Sequence, residues 1–122
     1  MLPAPTIEAE PEWLARVRAG LTAVGPHLAW HNGEDVETRF VTEGLTRIGR
    51  SVLAEIQLID PTVSRRHALI HRSGDTCVLL DDHSLNGVFV GSDPVDWRPL
   101  ADGDEIEVGR FRLHFIHVRR HE

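Results

Sequence analysis

From residue 36 onward the chain is cut into eight short apolar runs, at residues 36–42, 45–48, 56–59, 68–71, 76–80, 88–90, 106–108 and 111–118. Each ends at a cluster of Gly, Pro, Asp or Ser. Runs this short do not supply helices long enough to bury a face, and their Val, Ile, Leu and Phe content suits pleated strands. Many short strands with frequent turn signals imply an all-β protein, either a sandwich or a barrel. By composition Ser73-Gly74-Asp75 and Asp102-Gly103-Asp104 are read as hairpin turns.

The first 25 residues follow another period. Pro11 suits the first helical position, Leu14, Val17, Leu21 and Val24 recur at spacings of three and four, and Gly25-Pro26 ends the pattern. A short amphipathic helix is predicted there, so residues 1–25 read as a lead plus helix and residues 26–122 as the β domain. A chain of 122 residues fits one domain and one core. Hydrophobic content of 41% and charged content of 26% are those of a globular protein rather than a disordered one. No stretch approaches the roughly 20 apolar residues that span a bilayer, and residues 1–13 carry acids and prolines where a signal peptide carries basic and then apolar residues. The expectation is a cytoplasmic monomer with no membrane partner. The single cysteine, Cys77, lies inside an apolar run and reads as a buried, inert thiol.

Net charge is −6, yet the charge is unevenly placed. Residues 44–74 hold five arginines (Arg47, Arg50, Arg65, Arg66, Arg72) against Glu55 and Asp60, whereas residues 75–107 hold nine acids against Arg98. Three polar islands interrupt the apolar runs: Gly49-Arg50, Ser64-Arg65-Arg66-His67 and Ser84-Leu85-Asn86-Gly87. Islands of this kind fall where strand ends meet loops, the usual place for binding residues. A phosphothreonine carries about −1.5 to −2 charges and three strong acceptor oxygens, so its reader needs an arginine and further donors converging on one point. Arg50 on a turn at Gly49, and Ser64 followed by Arg65, supply those groups, arginine with a planar fork matched to phosphate oxygens. Three or four charge-assisted hydrogen bonds, each contributing about 1.5 to 3 kcal/mol net, imply modest affinity for a short peptide. A purely structural role would instead pair Arg50 with an acid such as Asp60 and leave Ser64 capping a turn.

Residues 47–51 (RIGRS), 60–68 (DPTVSRRHA), 81–90 (DDHSLNGVFV) and 100–109 (LADGDEIEVG) resemble, in order, the successive signatures of the forkhead-associated (FHA) domain, a module that binds phosphothreonine in other proteins. The resemblance spans about two thirds of the chain and is closest to small actinobacterial FHA regulators. It implies a sandwich of two twisted, mostly antiparallel sheets whose loops at one end hold the peptide. It implies that Arg50 and Ser64 bind the phosphate, that Arg65 contacts phosphate or peptide backbone, and that Asn86 hydrogen-bonds the peptide backbone beyond the phosphothreonine. Gly49, His67, Ser84 and Gly87 would support the loops, and Leu85 with the backbone near Asn86 would border a niche for the threonine methyl group. One methyl in a fitted niche is worth about 1 to 3 kcal/mol. Selection among targets would fall to His83, Ser84 and the residues just before Asn86. No cofactor or metal is implied; the partners are a phosphothreonine-containing protein and a Ser/Thr kinase or its substrates.

Two places depart from the family pattern. After residues 88–90 the chain has Gly91-Ser92-Asp93-Pro94 where a second Asn-Gly pair is common, so a longer or differently turned hairpin is expected. The amino-terminal helix lies outside the usual module; it packs its apolar stripe on the sandwich or presents Trp13 to a partner. Related small regulators are switched when their own phosphorylated threonine folds back into the pocket, and Thr6 is the counterpart here, without the double-threonine motif of those proteins. Other classes fare worse. Ser64 and His67 sit three apart on an extended segment, facing opposite ways, and no Gly-x-Ser-x-Gly elbow is present, so the chain does not read as an enzyme. His114, His117 and His121 have helical spacing on a segment that reads as a strand, which disfavours a metal. A nucleic-acid interface would rest on arginine alone in an acidic chain.

Overall fold

The computed structural model describes residues 10–120. One helix, α1 (Glu12–Gly20), precedes eleven strands: β1 (Gly25–Asn32), β2 (Asp35–Phe40), β3 (Gly44–Gly49), β4 (Ile56–Gln57), β5 (Ala68–Ser73), β6 (Thr76–Asp81), β7 (Val88–Val90), β8 (Asp93–Pro94), β9 (Trp97–Pro99), β10 (Glu105–Val108) and β11 (Phe111–Val118). They form a six-stranded sheet in the order β2-β1-β11-β10-β7-β8 and a five-stranded sheet in the order β4-β3-β5-β6-β9. Every pair is antiparallel except β3 with β4. The all-β sandwich implied by the short runs and by the resemblance is the fold observed.

Between the sheets lies the main core, which includes Leu28, Trp30, Ile48, Ile70, Leu79, Ile106, Leu113 and Phe115. A second cluster of Leu14, Ala29 and Ile116, flanked by Trp13, Val17, Leu21 and Val118, covers the outer face of the six-stranded sheet. The helix therefore packs its apolar stripe on the sandwich. Strand β1 has apolar material on both faces: Leu28 and Trp30 point into the main core and Ala29 points to the helix. A strand covered on both faces lacks the alternation by which strands are recognised, and Pro26 and His27 blur it further, so sequence alone does not show β1.

Other boundaries shift for local reasons. The predicted helix stops at Gly20 rather than Val24, because Leu21 turns extended and packs into the outer cluster while Val24 stays outside, 47% exposed. Pro11 caps the helix from just outside it, its carbonyl accepting the Leu14 and Ala15 amides. The run at 36–42 becomes the edge strand β2, with all six residues exposed, and Val41 turns inward past its end. The run at 56–59 is a strand only at Ile56–Gln57, since the Leu58 amide bonds back to the Gly49 carbonyl and Ile59 points to solvent. Strands β8 and β9 escape sequence reading because both are edge pieces of two or three residues that contain proline.

The turn at Ser73-Gly74-Asp75 is the tight β5–β6 hairpin, with Ser73 opposite Thr76. The turn at Asp102-Gly103-Asp104 is not a hairpin: it joins β9 in one sheet to β10 in the other, so composition locates the turn but not the crossover. The stretch after Val90 is a two-residue hairpin, with Val90 opposite Asp93 and both Gly91 and Ser92 at positive φ, 55° and 76°. Positive φ at both central positions is the type I′ pattern, so Gly-Ser does what Asn-Gly does elsewhere and the hairpin is not longer.

Candidate phosphate-recognition site

One rung of the five-stranded sheet assembles the site. Ile48 of β3 pairs with Ala68 of β5, which pairs with Asp81 of β6. The loops that leave β3, enter β5 and leave β6 therefore open at the same end, and these loops carry the three polar islands. Gly49 is where two of them meet. A side-chain carbon there would overlap the Arg65 carbonyl oxygen and stand 2.9 Å from its carbon and 3.1 Å from the Ser64 oxygen. Only a residue without one allows the Arg50 amide to reach the Ser64 carbonyl at 3.0 Å and the Ser51 amide the Arg65 carbonyl at 3.2 Å.

Arg50 and Ser64, fourteen positions apart in the chain, are thereby brought side by side. The Arg50 Nε donates to the Val63 carbonyl at 3.1 Å, which anchors the planar group while its two terminal nitrogens have no partner among the described residues. Gln57 holds the Arg50 carbonyl from behind, at 3.2 Å. The Ser64 hydroxyl accepts the Leu85 amide at 2.9 Å and so links the second loop to the third, leaving its own proton free to donate outward. It does not cap a local turn. Asn86 donates to the Thr62 carbonyl at 3.2 Å, a second tie between these loops. The Arg65 side chain has no hydrogen-bonding or carboxylate partner among the described residues; it is exposed and lines a cleft of about 300 Å³ with Ser64, Arg66, Asp82 and His83. The Leu85 side chain is 89% exposed, so in this structure its contribution to the cluster is its backbone amide.

His67 is completely buried beneath the loops. Its Nδ1 accepts the Ser64 amide at 3.0 Å, which leaves Nε2 as the protonated nitrogen, donating to the Gly87 carbonyl at 2.8 Å. A neutral ring thus pins two loops with two hydrogen bonds. Ser84 adds a third brace, its hydroxyl accepting the Gly87 amide at 3.0 Å while its own amide bonds Asp81.

A further network was not singled out by sequence. Asp60 accepts the Thr62 amide at 2.9 Å and hydroxyl at 2.6 Å and pairs with Arg110, and the Thr62 hydroxyl accepts the Arg110 amide at 2.9 Å. The Thr62 donors first, and Arg110 after them, hold the Asp60 carboxyl down at about 2. The Asp-x-Thr spacing is an Asx-turn signal, readable in principle, but its partner 48 residues further on is not. Asp60 therefore serves Arg110 and not Arg50. Three other arginines of the positive segment also have carboxylate partners: Arg47 with Glu55, Arg66 with Asp82 and Arg72 with Glu43. Of the five arginines in residues 44–74, Arg50 and Arg65 are the two with no carboxylate partner among the described residues. Cys77 is buried, which pushes its thiol up. His114 and His117 lie on β11, and no cluster of three metal-ligating side chains occurs among the described residues; His121 is outside them.

A two-sheet sandwich that gathers unpaired arginines, a hydroxyl and an amide on braced loops at one end is a loop-borne recognition module. Residues 46–109 match the profile of the FHA domain, and the chain belongs to that family. It is 40% identical over 98 residues to an oxoglutarate dehydrogenase inhibitor of Corynebacterium jeikeium, covering 80% of this chain and 68% of that one. It is also 40% identical over 98 residues to the glycogen accumulation regulator GarA of Mycolicibacterium smegmatis, covering 80% of this chain and 62% of the relative. Among solved structures, the FhaA FHA domain complexed with the intracellular domain of another protein superposes with a TM-score of 0.71 at 36% identity, over 75% of this chain and 99% of that one. EmbR of Mycobacterium tuberculosis, in complex with a low-affinity phosphopeptide, gives 0.69 at 27% identity, over 90% of this chain and 29% of that one. No helix among the described residues is long and apolar enough to cross a membrane.

Proposed function

We propose that the chain is a non-catalytic phosphothreonine reader in Ser/Thr kinase signalling, acting in the cytoplasm as a monomer with residues 26–122 as the reading domain. The observation that carries this is the close approach of Arg50 and Ser64 at one rim, where the Arg50 amide meets the Ser64 carbonyl at 3.0 Å and the terminal guanidinium nitrogens of Arg50 have no partner among the described residues, with Arg65 next in the chain. The phosphate sits on Arg50 and Ser64, Arg65 adds charge or holds the peptide backbone, and Asn86 takes the peptide beyond the phosphothreonine. Gly49, His67, Ser84 and Gly87 fix the loops, while the Leu85 side chain, free in this structure, closes over the threonine methyl group. Catalysis by Ser64 and His67 is disfavoured, since both ring nitrogens of His67 are engaged with backbone groups. A nucleic-acid role is disfavoured because most of the arginine charge on this segment is neutralised locally. The relatives' names fit a regulator that acts by docking on other proteins.

The test is titration of the full chain with one peptide in phosphothreonine, phosphoserine and unmodified forms. Micromolar binding of the first, weaker binding of the second and none of the third is expected, with Arg50→Ala and Ser64→Ala abolishing binding. Equal retention of the three forms would overturn the reading.

One observation favours self-binding as a second mode. Pro11 and Arg110 line the same cleft, and Arg110 also lines the adjoining one with Thr62 and Asn86. The lead therefore leaves α1 near the recognition end. Thr6 lies outside the described residues, but five residues extend at most about 17 Å, enough to bring a phosphate toward Arg50. Phosphorylation of Thr6 by a Ser/Thr kinase should then lower affinity for a phosphothreonine peptide in trans. Mass spectrometry showing no modification before Trp13 would dispose of this mode.

A further inference from the structure

We propose that the same phosphorylated partner is held at a second place, where an apolar groove on the outer face of the five-stranded sheet takes one large aliphatic side chain flanking the phosphothreonine. This rests on the phosphothreonine reading above and adds to it the chemistry of the partner.

The groove measures about 530 Å³, larger than the clefts of about 430, 300 and 280 Å³ at the recognition loops. Its floor is set by the strand register. Thr46 pairs with Ile70 and both are buried, so their neighbours Leu45, Arg47 and Leu69 project from the opposite, outer face. An antiparallel sheet with one solvated face should place polar residues there. Here Leu45, 58% exposed, lies open beside a half-buried Leu69 instead, and Leu53, 70% exposed, leans in from the loop that follows Arg50. Aliphatic side chains gathered in a concavity mark a contact surface, whereas single exposed ones do not.

Two observations identify the occupant as a segment of the phosphorylated chain. First, the groove is continuous with the phosphate cluster: Arg65 lines both the groove and the cleft beside Ser64. A peptide seated on Ser64 reaches the groove by passing over Arg65, and an extended chain advances about 3.3 Å per residue, so a side chain a few positions away arrives there. Second, the charge at the rim is neutralised in place. Arg47 is bound by Glu55 at 2.7 Å and Arg66 by Asp82 at 2.8 Å, so away from Arg65 at its phosphate end the groove suits a neutral, aliphatic side chain.

The test uses the full chain and a phosphothreonine peptide library randomised on both flanks. Enrichment of Leu, Ile, Val or Met at one position on one side is expected. The sheet variant Leu69→Glu and the loop variant Leu53→Ser should each erase that enrichment and weaken the best peptide about ten- to hundredfold, the worth of one buried aliphatic side chain. A peptide with Ala at that position should bind both variants as it binds the wild type. Should Leu69→Glu unfold, Leu53→Ser carries the test alone. Absence of enrichment in the wild type, or its survival in Leu53→Ser, overturns the groove while leaving phosphate recognition in place. Sedimentation of the wild type as a dimer, and of Leu69→Glu as a monomer with unchanged selection, overturns it in favour of a second copy. Binding of peptides regardless of phosphorylation brings down the phosphothreonine reading, and the groove proposal with it.

Discussion

Replacing Gly49 by alanine should damage both stability and recognition, by an amount that follows from the backbone around it. The added carbon would stand 2.9 Å from the Arg65 carbonyl carbon, where relaxed carbon contacts lie at about 3.5 to 4.0 Å, so the two segments must part by roughly 0.6 Å or more. That opening lengthens the Arg50-to-Ser64 and Ser51-to-Arg65 hydrogen bonds, now 3.0 and 3.2 Å, to about 3.6 Å and beyond, where they no longer count as bonds. Two lost backbone bonds cost about 1 to 3 kcal/mol, and the strain of an overfilled site adds about 1 to 3 kcal/mol. Urea denaturation should therefore show Gly49→Ala destabilised by about 2 to 6 kcal/mol, and because the parting segments carry Arg50 and Ser64, phosphothreonine-peptide affinity should fall at least tenfold under conditions where the variant stays folded. Gly20→Ala is the control: nothing lies within 4 Å of its added carbon, and at a helical position alanine should be neutral or stabilise by up to about 1 kcal/mol. A Gly49→Ala protein within about 0.5 kcal/mol of wild type that binds phosphopeptide normally would refute the close-approach argument.

Three further outcomes can be checked. Ser92 holds a left-handed conformation in the type I′ turn, so Ser92→Gly should raise stability by about 0.5 to 1 kcal/mol in thermal unfolding, and no gain would argue against the strain. Leu14 is the buried centre of the helix–sheet contact, and Leu14→Ala should cost about 2 to 4 kcal/mol and increase hydrogen exchange in α1, with phosphopeptide affinity changed less than twofold. The Asp60 carboxyl titrates near 2, below its ordinary value, so its contribution to stability is present above pH 4 and is lost as the pH falls through about 2. Asp60→Asn should thus be less stable than wild type at pH 5, with the gap closing toward pH 2; a gap independent of pH would refute the assignment.

Much of the fold was legible because most strands have one wet face. The runs at 88–90 and 111–118 coincide with β7 and β11, and those at 45–48, 68–71 and 76–80 fall within β3, β5 and β6. Where the sequence misled, alternation was absent for a reason: β1 is covered by the core on one side and α1 on the other, and β8 and β9 are short edges containing proline. Of the site, the three islands were legible as residue types, and their order matched a family. Their convergence was not, because it depends on the rung that aligns Ile48, Ala68 and Asp81 and on a close approach at Gly49. The Asp60–Thr62–Arg110 network was invisible for the same reason, being a contact between loops of different sheets.

The arrangement of charge explains how a protein of net charge −6 can attract a dianion at one end. Arginines near a binding site serve it only if nearby carboxylates do not claim them first, and here the claims are set by geometry. Arg47 and Glu55 face each other across the β3–β4 turn, Arg66 meets Asp82 across neighbouring loops, and Asp60 is held by Thr62 and Arg110. Each pair is exposed on at least one side and adds little to stability. The larger effect is that, of the five arginines in residues 44–74, only Arg50 and Arg65 keep their charge unpaired among the described residues. Because Arg50 is already tied through Nε to Val63, and Ser64 through its oxygen to Leu85, less ordering entropy remains to be lost when a ligand arrives. Removing the Asp82 carboxylate should then free Arg66 and broaden anion binding at the cost of selectivity. Asp82→Asn should bind inorganic phosphate more tightly than wild type while discriminating less between phosphothreonine and phosphoserine peptides, and unchanged discrimination would show that the local pairing has no part in specificity.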